Sequence, residues 1–421
     1  MQKLKSFFSS EFSKNVLTLM TGTTISQAIP LAATPILTRI YTPEDFGVLA
    51  LFSSITAILG LLATGKYEMA ILLPKDDKDA LNIVYLSVIL SAIFSIILFT
   101  IVFLFNYEIT VLLNEPKISN WLYFVPISVL FIGIYNALNL YNVRYKNFKH
   151  VSFSLISKSS GLSITQIGVG LFKSGAFGLV LGQVISFFSG NVILLKSITK
   201  RYSIIETFSI QSINQVSKTY IRFPKFTLPG NLMNSISLNA LNFFISNFFS
   251  TYILGQYSLA SRMLGVPSRV FGNSISQVYF QKISASKNED KNVLSVFNKT
   301  LKRLTFISLP IFLILFFIAE PIFDFVFGEE WRIAGTYAKI ILPMSAVRFI
   351  SSALSPTLHV FERQDLTLLI QATQIITLFA IFITVNYLNL SFYNSLVIYS
   401  CIYSLEYALF VFIYRYIVLK N

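Results

Sequence analysis

Two arginines in an apolar stretch are the side chains of this chain best suited to do chemistry. Arg262 and Arg269 are seven residues apart and therefore share one helical face, with Pro267 between them. A charge at the centre of a membrane helix costs roughly 2.5–3.5 kcal/mol, so such a residue usually faces a wet cavity or a partner. A guanidinium matches phosphate and carboxylate oxygens. We therefore expect both arginines to bind an anionic substrate, the alternative being a structural partner or extension to the membrane interface.

The preceding apolar segment carries a stripe of amides and hydroxyls. Ser235, Asn239 and Asn242 are spaced by four and three residues and lie on one helical face, and Asn231 lies one turn earlier. An amide both donates and accepts hydrogen bonds, which suits sugar hydroxyls. Asn and Ser also join helices inside membranes. Gln27, in the first apolar segment, is open to the same two interpretations.

Three further ionisable residues lie in the middle of apolar segments. Lys158 and Arg348 lie one in each half of the chain, and each could bind substrate or hydrogen-bond between helices. Glu406 is the clearest acid in such a position. It is a candidate for ion coupling, with an ion pair to an arginine of its own half as the alternative.

Enzyme chemistry has little support among the residues. The two histidines, His150 and His359, do not have a metal-ligand spacing. The single cysteine, Cys401, excludes an internal disulfide and a thiolate metal site. Lys173-Ser174 lacks the glycine that a phosphate-binding loop places before its lysine. We expect no cofactor, no metal and no enzymatic activity.

These residues are embedded in a strongly apolar chain. It has 421 residues, of which 54% are hydrophobic and 12% charged, with a mean hydropathy of +0.67, whereas a soluble domain has about 25% charged residues. The sequence predicts an all-α, polytopic membrane protein with twelve transmembrane helices, each of about 20 residues. The predicted segments are 15–37, 45–64, 81–105, 120–141, 151–172, 174–195, 225–249, 255–280, 303–323, 334–358, 366–387 and 393–418.

Charge in the connections predicts the orientation. With the N-terminus inside, 24 of the 33 Lys and Arg residues lie in inner flanks and connections. Four lie outside, namely Arg39, Lys117, Lys173 and Arg332. The positive-inside rule therefore predicts cytoplasmic N- and C-termini. The same rule explains most of the net charge of +14 without nucleic acid as a partner.

The longest polar connection, Lys196–Arg222, divides the chain into two halves of six segments. We predict an N-terminal six-helix bundle at 1–195, a cytoplasmic linker at 196–224 and a C-terminal six-helix bundle at 225–421. Phe46-Gly47 aligns with Leu254-Gly255 at an offset of 208 residues, as expected of pseudo-symmetric halves. Six-plus-six repeats are a recurring plan of transporters, with the substrate site between the halves.

Two motifs in the first quarter resemble those of a known family. They are LTRIYTPEDFG at 37–47 and YEMAILLPKDD at 67–77. They are similar to motifs of the Wzx-type polysaccharide-biosynthesis flippases, the O-antigen and teichuronic acid exporters of the MOP (MATE-like) superfamily. Arg39, Glu44 and Asp45 of the first motif are a candidate outer gate, the alternative being a capped turn with Asp45 at a helix start. Glu68 of the second motif is a candidate for a salt bridge with a basic neighbour.

The resemblance implies two six-helix bundles around a central cleft. It implies a flippase that moves undecaprenyl-pyrophosphate-linked oligosaccharide repeat units from the cytoplasmic to the outer leaflet of the bacterial plasma (inner) membrane. Alternating access and a cationic cleft for the anionic headgroup would serve O-antigen, lipopolysaccharide or related polysaccharide biosynthesis. The expected partners are the lipid-linked oligosaccharide, membrane lipids, H+ or Na+, and other polysaccharide-assembly proteins.

Two alternative functions are compatible with the sequence. The first is an ion-coupled small-molecule or multidrug exporter of the same fold, although organic cations would call for carboxylates where this chain has arginines. The second is a membrane glycosyltransferase or polymerase. A polymerase would be expected to carry a large outer loop, whereas the predicted outer connections are short.

Overall fold

The structure is a computed structural model that describes residues 11–172, 175–199, 208–268, 272–288 and 292–420. Within these ranges the ordered elements are all helices, with no β-strand. Each of the twelve predicted segments coincides with one helix or with two consecutive helices. This is the outcome expected of segments in lipid, where a helix satisfies its own backbone hydrogen bonds.

Six long helices precede the polar connection. They are α1 (Glu11–Ile40), α2 (Pro43–Leu62), α3 (Asp77–Leu112), α4 (Val125–Arg144), α5 (Phe148–Gly170) and α6 (Phe177–Thr199). The longest, α3, has 36 residues, more than the hydrocarbon core requires, and its backbone leaves helical geometry at Phe105. A one-turn helix, Ser119–Leu122, precedes α4.

Eight helices of ten or more residues follow in the described part of the chain, and a short helix, Pro356–Val360, lies between the sixth and the seventh of them. They are α7 (Ile210–Thr219), α8 (Leu228–Phe248), α9 (Thr251–Pro267), α10 (Asn273–Asn288), α11 (Val293–Phe327), α12 (Arg332–Leu354), α13 (Gln364–Tyr387) and α14 (Phe392–Lys420). The predicted helix 255–280 thus comprises two helices, α9 and α10. Pro267 is the last residue of α9, Ser268 after it keeps helical dihedral angles, and residues 269–271 lie outside the described part of the chain.

Eight helices of the described chain are long and apolar enough to cross a membrane, so the protein is a multi-pass membrane protein. They are formed by α2, α3, α4, α6, α11, α12, α13 and α14. Most of the polar candidate residues lie instead on the other long helices, α1, α5, α8 and α9. Lipid does not solvate such side chains, so those helices need a polar partner or a water-filled space.

The chain packs as two compact units, Met1–Asn247 and Phe248–Asn421. In the first unit, α5 packs against α1 and α6, and α3 packs against α4. In the second unit, α12 is the central helix and packs against α9, α11 and α14. The division of the sequence into bundles at 1–195 and 225–421 stays a prediction.

Side-chain hydrogen bonds from two helices fix the second family motif within the first unit. Residues Tyr67–Leu72 form a short 3₁₀-helix between α2 and α3. Arg144, in the last turn of α4, donates to the Ile71 carbonyl at 3.1 Å and lies 3.3 Å from an Asp77 carboxylate oxygen. The Tyr67 hydroxyl donates to the Ser217 carbonyl of α7 at 3.0 Å. The motif therefore joins α4 and α7 to the start of α3.

The amphipathic helix α7 is docked on the first unit. Its residues Ile213 and Val216 are buried in the apolar cluster that contains Tyr67, Ile71 and Leu81. Apart from the exposed Ile210, the rest of α7 is polar and mostly exposed. Sequence reasoning assigned this stretch to the linker and predicted no helix there.

Candidate functional site

Arg348 of α12 has four tyrosines around it. Tyr257 of α9 and Tyr399, Tyr403 and Tyr407 of α14 lie within electrostatic range of its guanidinium. We name these five residues the arginine–tyrosine cluster. The Arg348 side chain is exposed. Among the described residues, no carboxylate lies within 4.0 Å of its guanidinium nitrogens, so no ion pair there neutralises it.

Three of the tyrosines come from one face of α14. Tyr399, Tyr403 and Tyr407 are four residues apart, and side chains at that spacing neighbour each other on a helix. The ring centroids of Tyr399 and Tyr403 are 4.4 Å apart, and those of Tyr403 and Tyr407 are 6.1 Å apart. The Tyr403 hydroxyl donates to the Gln374 carbonyl of α13 at 2.7 Å, which fixes the middle ring.

The cluster can bind a sugar that carries a negative charge. The guanidinium supplies a forked donor for phosphate or carboxylate oxygens, and tyrosine supplies an apolar ring with a polar tip. Sequence reasoning singled out Arg348 but missed the tyrosines, which it treated only as residues that favour membrane interfaces. The four-residue spacing of three tyrosines on α14 is the signal that would have found them.

Glu406 lies beside this cluster on α14. The Thr377 hydroxyl of α13 donates to one oxygen of its carboxylate, Oε1. The other oxygen, Oε2, is buried and accepts no hydrogen bond from the described residues. No group of three or more His, Cys, Asp or Glu side chains in the described part of the chain forms a metal site. This oxygen can therefore accept a proton or bind one cation. Ion coupling at Glu406 stays a prediction.

The structure describes only one of the two arginines that were predicted to share a cationic helical face. Arg262 lies on α9 and is half-buried, and it has an interaction partner in the structure. Arg269 lies outside the described residues. The prediction that both bind substrate therefore stays untested.

The polar stripe of α8 contributes partly to packing. Asn242 donates to the Ser54 hydroxyl of α2 at 2.9 Å, which joins α8 to α2. Asn239 donates to the Ser235 carbonyl in its own helix at 2.8 Å. Asn231 is half-buried, as is Gln27 of α1. Contact with sugar hydroxyls stays a prediction for these residues.

Lys158 of α5 is enclosed by aromatic rings in the first unit. Its ammonium lies 4.1 Å from the ring centroid of Tyr135 on α4 and 3.8 Å from that of Phe187 on α6. A cation over an aromatic face is stabilised electrostatically. Gly190 of α6 makes room for this arrangement, because a Cβ atom there would lie 2.6 Å from Lys158 Cγ. The contacts join three helices, and a role in substrate binding stays a prediction.

The candidate gate residues lie where α1 ends and α2 begins. Asp45 and Thr42 form a capping box, in which the Asp45 amide donates to Thr42 Oγ1 at 3.3 Å and the Thr42 amide donates to Asp45 Oδ2 at 3.1 Å. Glu44 pairs with Lys117, and this hydrogen bond raises the pKa of Lys117. Arg39 is exposed in the last turn of α1. The capped turn is thus present, and a gating role stays a prediction.

Glu68 of the second family motif is buried in the first unit. Its carboxylate lies 3.3 Å from the Lys66 ammonium and accepts a hydrogen bond from the Thr64 hydroxyl. This is the predicted salt bridge with a basic neighbour. Because the partners are within four residues in the chain, the pair stabilises the turn after α2.

Two apolar cavities lie in the first unit, away from the candidate residues. Their volumes are about 410 and 750 Å³, and both are lined by α3, α4 and α6 with Phe131 and Phe188 in common. No charged residue lines either one. They suit hydrocarbon rather than a charged headgroup.

Comparison with known proteins identifies the family. A family model described as polysaccharide biosynthesis protein matches residues 36–335, well over half of the chain. The chain belongs to this family. Both motifs at 37–47 and 67–77 lie within the match, and the predicted resemblance is confirmed.

Two relatives of this chain are named for polysaccharide biosynthesis or transport. The capsular polysaccharide biosynthesis protein CapF of Staphylococcus aureus is 24% identical over 315 residues, which are 70% of this chain and 72% of CapF. The succinoglycan biosynthesis transport protein ExoT of Rhizobium meliloti (strain 1021) is 24% identical over 305 residues, which are 71% of this chain and 59% of ExoT.

Solved structures of the MOP superfamily have the same fold. An inward-facing multidrug resistance MATE family transporter of that superfamily superimposes with a TM-score of 0.70 at 14% identity and covers 96% of both chains. The lipid II flippase MurJ, in an inward closed conformation, gives a TM-score of 0.65 at 19% identity over 94% of this chain and 86% of MurJ. The predicted all-α, MATE-like fold is thereby confirmed.

Proposed function

We propose that this protein is a flippase for undecaprenyl-pyrophosphate-linked oligosaccharide repeat units. It moves them from the cytoplasmic to the outer leaflet of the bacterial plasma membrane by alternating access. The family match and the relatives named for polysaccharide biosynthesis and transport support a glycan as the transported group. The fold likeness to MurJ supports a lipid-linked substrate. The protein acts as a transporter rather than as an enzyme.

The observation that carries this proposal is the arginine–tyrosine cluster. Its guanidinium has no carboxylate partner within 4.0 Å among the described residues, although it lies in a stretch long and apolar enough to cross a membrane, where a charge normally has a partner. An anionic headgroup supplies the missing counter-charge. Arg348 binds its phosphate or acidic sugar, and Tyr399, Tyr403 and Tyr407 contact the sugar rings. Arg262 and Arg269 are proposed to add positive charge for the same substrate, and the polar stripe on α8 is proposed to contact its sugar hydroxyls.

Glu406 is the proposed coupling residue. Its hydrogen bond from Thr377 holds one carboxylate oxygen and leaves Oε2 available. Protonation or Na+ binding at that oxygen removes an uncompensated buried charge. Tyr403 and Glu406 are three residues apart on α14 and therefore neighbours on its surface, so the proposed ion site lies next to the arginine–tyrosine cluster.

A multidrug exporter is the second candidate function, because a multidrug resistance MATE transporter has a similar fold. The residues of the cluster argue against organic cations, since Arg348 repels them. Binding of a cationic dye to the purified protein, competed by a cationic drug and not by a lipid-linked sugar pyrophosphate, would favour the exporter.

The experiment that tests the proposed function has two parts. In the native host, deletion should cause a complete lipid-linked repeat unit to accumulate on the inner leaflet. In proteoliposomes, the purified protein should expose a fluorescent polyprenyl-pyrophosphate sugar to an external lectin or hydrolase. Accumulation of an incomplete repeat unit, or sugar transfer by the purified protein, would indicate the glycosyltransferase or polymerase instead.

A further inference from the structure

A small cavity with two basic residues lies in the second unit, outside the proposed transport site. It has a volume of about 290 Å³ and lies between α10 and α11. Its polar wall consists of Lys282 from α10 and of Thr300 and Arg303 from α11. The remaining wall is apolar and includes Leu304 and Ile307. One cavity thus combines a cationic and an apolar half.

The cationic half coincides with the start of the apolar part of α11. Arg303 is followed by sixteen residues without a charge, up to Glu320. At 1.5 Å per residue these residues span about 24 Å, most of the hydrocarbon thickness of a bilayer. Arg303 therefore lies at the depth of the lipid headgroups, and Leu304 and Ile307 lie at the depth of the acyl chains.

The charges of the cavity are available for a ligand. The side chains of Lys282 and Arg303 are exposed. No acidic residue lines the cavity, and no carboxylate of the described residues lies within 4.0 Å of either cation. The hydroxyl of Tyr279, at the cavity wall, is already hydrogen-bonded to Thr357 at 2.7 Å. An anion would meet two cations and the Thr300 hydroxyl.

We propose that the α10–α11 cavity binds an anionic membrane phospholipid. The lipid phosphate contacts Lys282, Thr300 and Arg303, and one acyl chain lies along Leu304 and Ile307. Basic pockets between transmembrane helices are a recurring form of lipid-headgroup site. The bound lipid bridges α10 and α11, two helices joined by a polar connection. This site belongs to one unit and uses none of the residues proposed to bind the transported headgroup.

The test compares two variants with equal charge. Lys282→Gln with Arg303→Gln removes both cations of the cavity. Lys299→Gln with Lys302→Gln removes two exposed cations of α11 that do not line it. Binding of dioleoyl-phosphatidylglycerol to the full-length protein is measured by native mass spectrometry, with dioleoyl-phosphatidylcholine as the neutral comparison. The cavity variant should bind phosphatidylglycerol about ten- to thirty-fold more weakly, and the matched control should bind within about twofold of the wild type.

Three results would overturn the proposal. Equal losses of phosphatidylglycerol binding in both variants would indicate attraction by diffuse surface charge rather than by the cavity. Equal binding of phosphatidylcholine and phosphatidylglycerol would show that the negative charge of the lipid is not recognised. Lost export with unchanged phosphatidylglycerol binding would assign the cavity to the transported pyrophosphate. Thermal unfolding of both variants without added lipid controls for folding. If the cavity variant unfolds, Arg303→Lys, which keeps the charge, should retain binding, and its failure to do so counts against a simple charge contact.

Discussion

Arg348 and Glu406 are the two residues on which the proposed mechanism depends most directly. Arg348 has phenol groups around it but no carboxylate within 4.0 Å among the described residues. Glu406 has one oxygen hydrogen-bonded and one without a donor among them. Each side chain thus lacks one partner that its charge requires. We infer that a ligand provides it, an anion in the first case and a cation in the second.

The first prediction concerns Arg348. We expect Arg348→Gln to reduce export at least tenfold, because a hydrogen bond to a charged group contributes about 1.5–3 kcal/mol and 1.4 kcal/mol is a factor of ten. Complementation of a deletion strain gives the measurement, with membrane abundance determined in parallel. Arg332→Gln is the matched control, since it removes a charge from the exposed start of the same helix. Normal export by Arg348→Gln would exclude Arg348 from the site.

The second prediction concerns Glu406. We expect Glu406→Gln to keep substrate binding but to lose the response of transport to an imposed H+ or Na+ gradient, because a neutral amide takes up no proton near neutral pH and lacks the negative charge that attracts Na+. Transport into proteoliposomes with each gradient in turn gives the measurement. Glu320→Gln is the control, since Glu320 already pairs with Lys339 at 3.7 Å. A variant Glu406→Gln that still responds to both gradients would contradict the coupling role.

At the scale of helices, the position of Lys158 depends on a glycine of the neighbouring helix. The Lys158 ammonium lies between rings from α4 and α6, and the aliphatic part of the side chain passes over Gly190. A Cβ atom at position 190 would also lie 2.9 Å from the Tyr135 ring. The three helices α4, α5 and α6 can approach each other in this way only while position 190 has no side chain.

The third prediction compares two helical glycines. Gly190→Ala should destabilise the protein by about 1–3 kcal/mol, since overpacking a tight contact costs that much. Gly168→Ala, on α5, should be neutral or stabilise by up to about 1 kcal/mol, because nothing lies within 4 Å of its added methyl group and alanine is the better helix former. Thermal unfolding of both variants in one detergent measures the difference. Shifts of the same sign would contradict the packing around Lys158.

The sequence predicted the helices better than the contacts between them. Each of the twelve predicted segments coincides with helix, and eight of the described helices have the long apolar run that is a strong signal in sequence. Helix α7 was missed because its ten residues are too few for that signal. The rings around Lys158 come from two other helices, so their positions depend on tertiary packing that one sequence does not reveal.

At the scale of the whole molecule, the charge distribution predicts the orientation in the membrane. Among the Lys and Arg residues, 24 lie in predicted inner connections and four in outer ones. The even number of predicted segments then places both termini on the same side. The fold likeness to MATE and MurJ proteins is compatible with this arrangement but does not test it.

The fourth prediction tests this orientation by cysteine labelling. Cys401 is the single cysteine, so Cys401→Ser gives a cysteine-free protein in one step. In that background, a membrane-impermeant maleimide added to spheroplasts should label Asn389→Cys, in a predicted outer connection. It should label Lys149→Cys only after the membrane is permeabilised. Both positions are exposed in the structure. The reverse pattern would invert the proposed direction of transport.

The docking of α7 determines where the first unit can be cut. Ile213 and Val216 cover an apolar surface next to Tyr67 and Ile71, and Ser217 accepts the hydrogen bond of the Tyr67 hydroxyl. A fragment that stops before Ile210 would expose that apolar surface and leave the Tyr67 hydroxyl without its acceptor. An independently expressed N-terminal half therefore has to continue beyond Thr219. If the gene is split further upstream, the first fragment should aggregate.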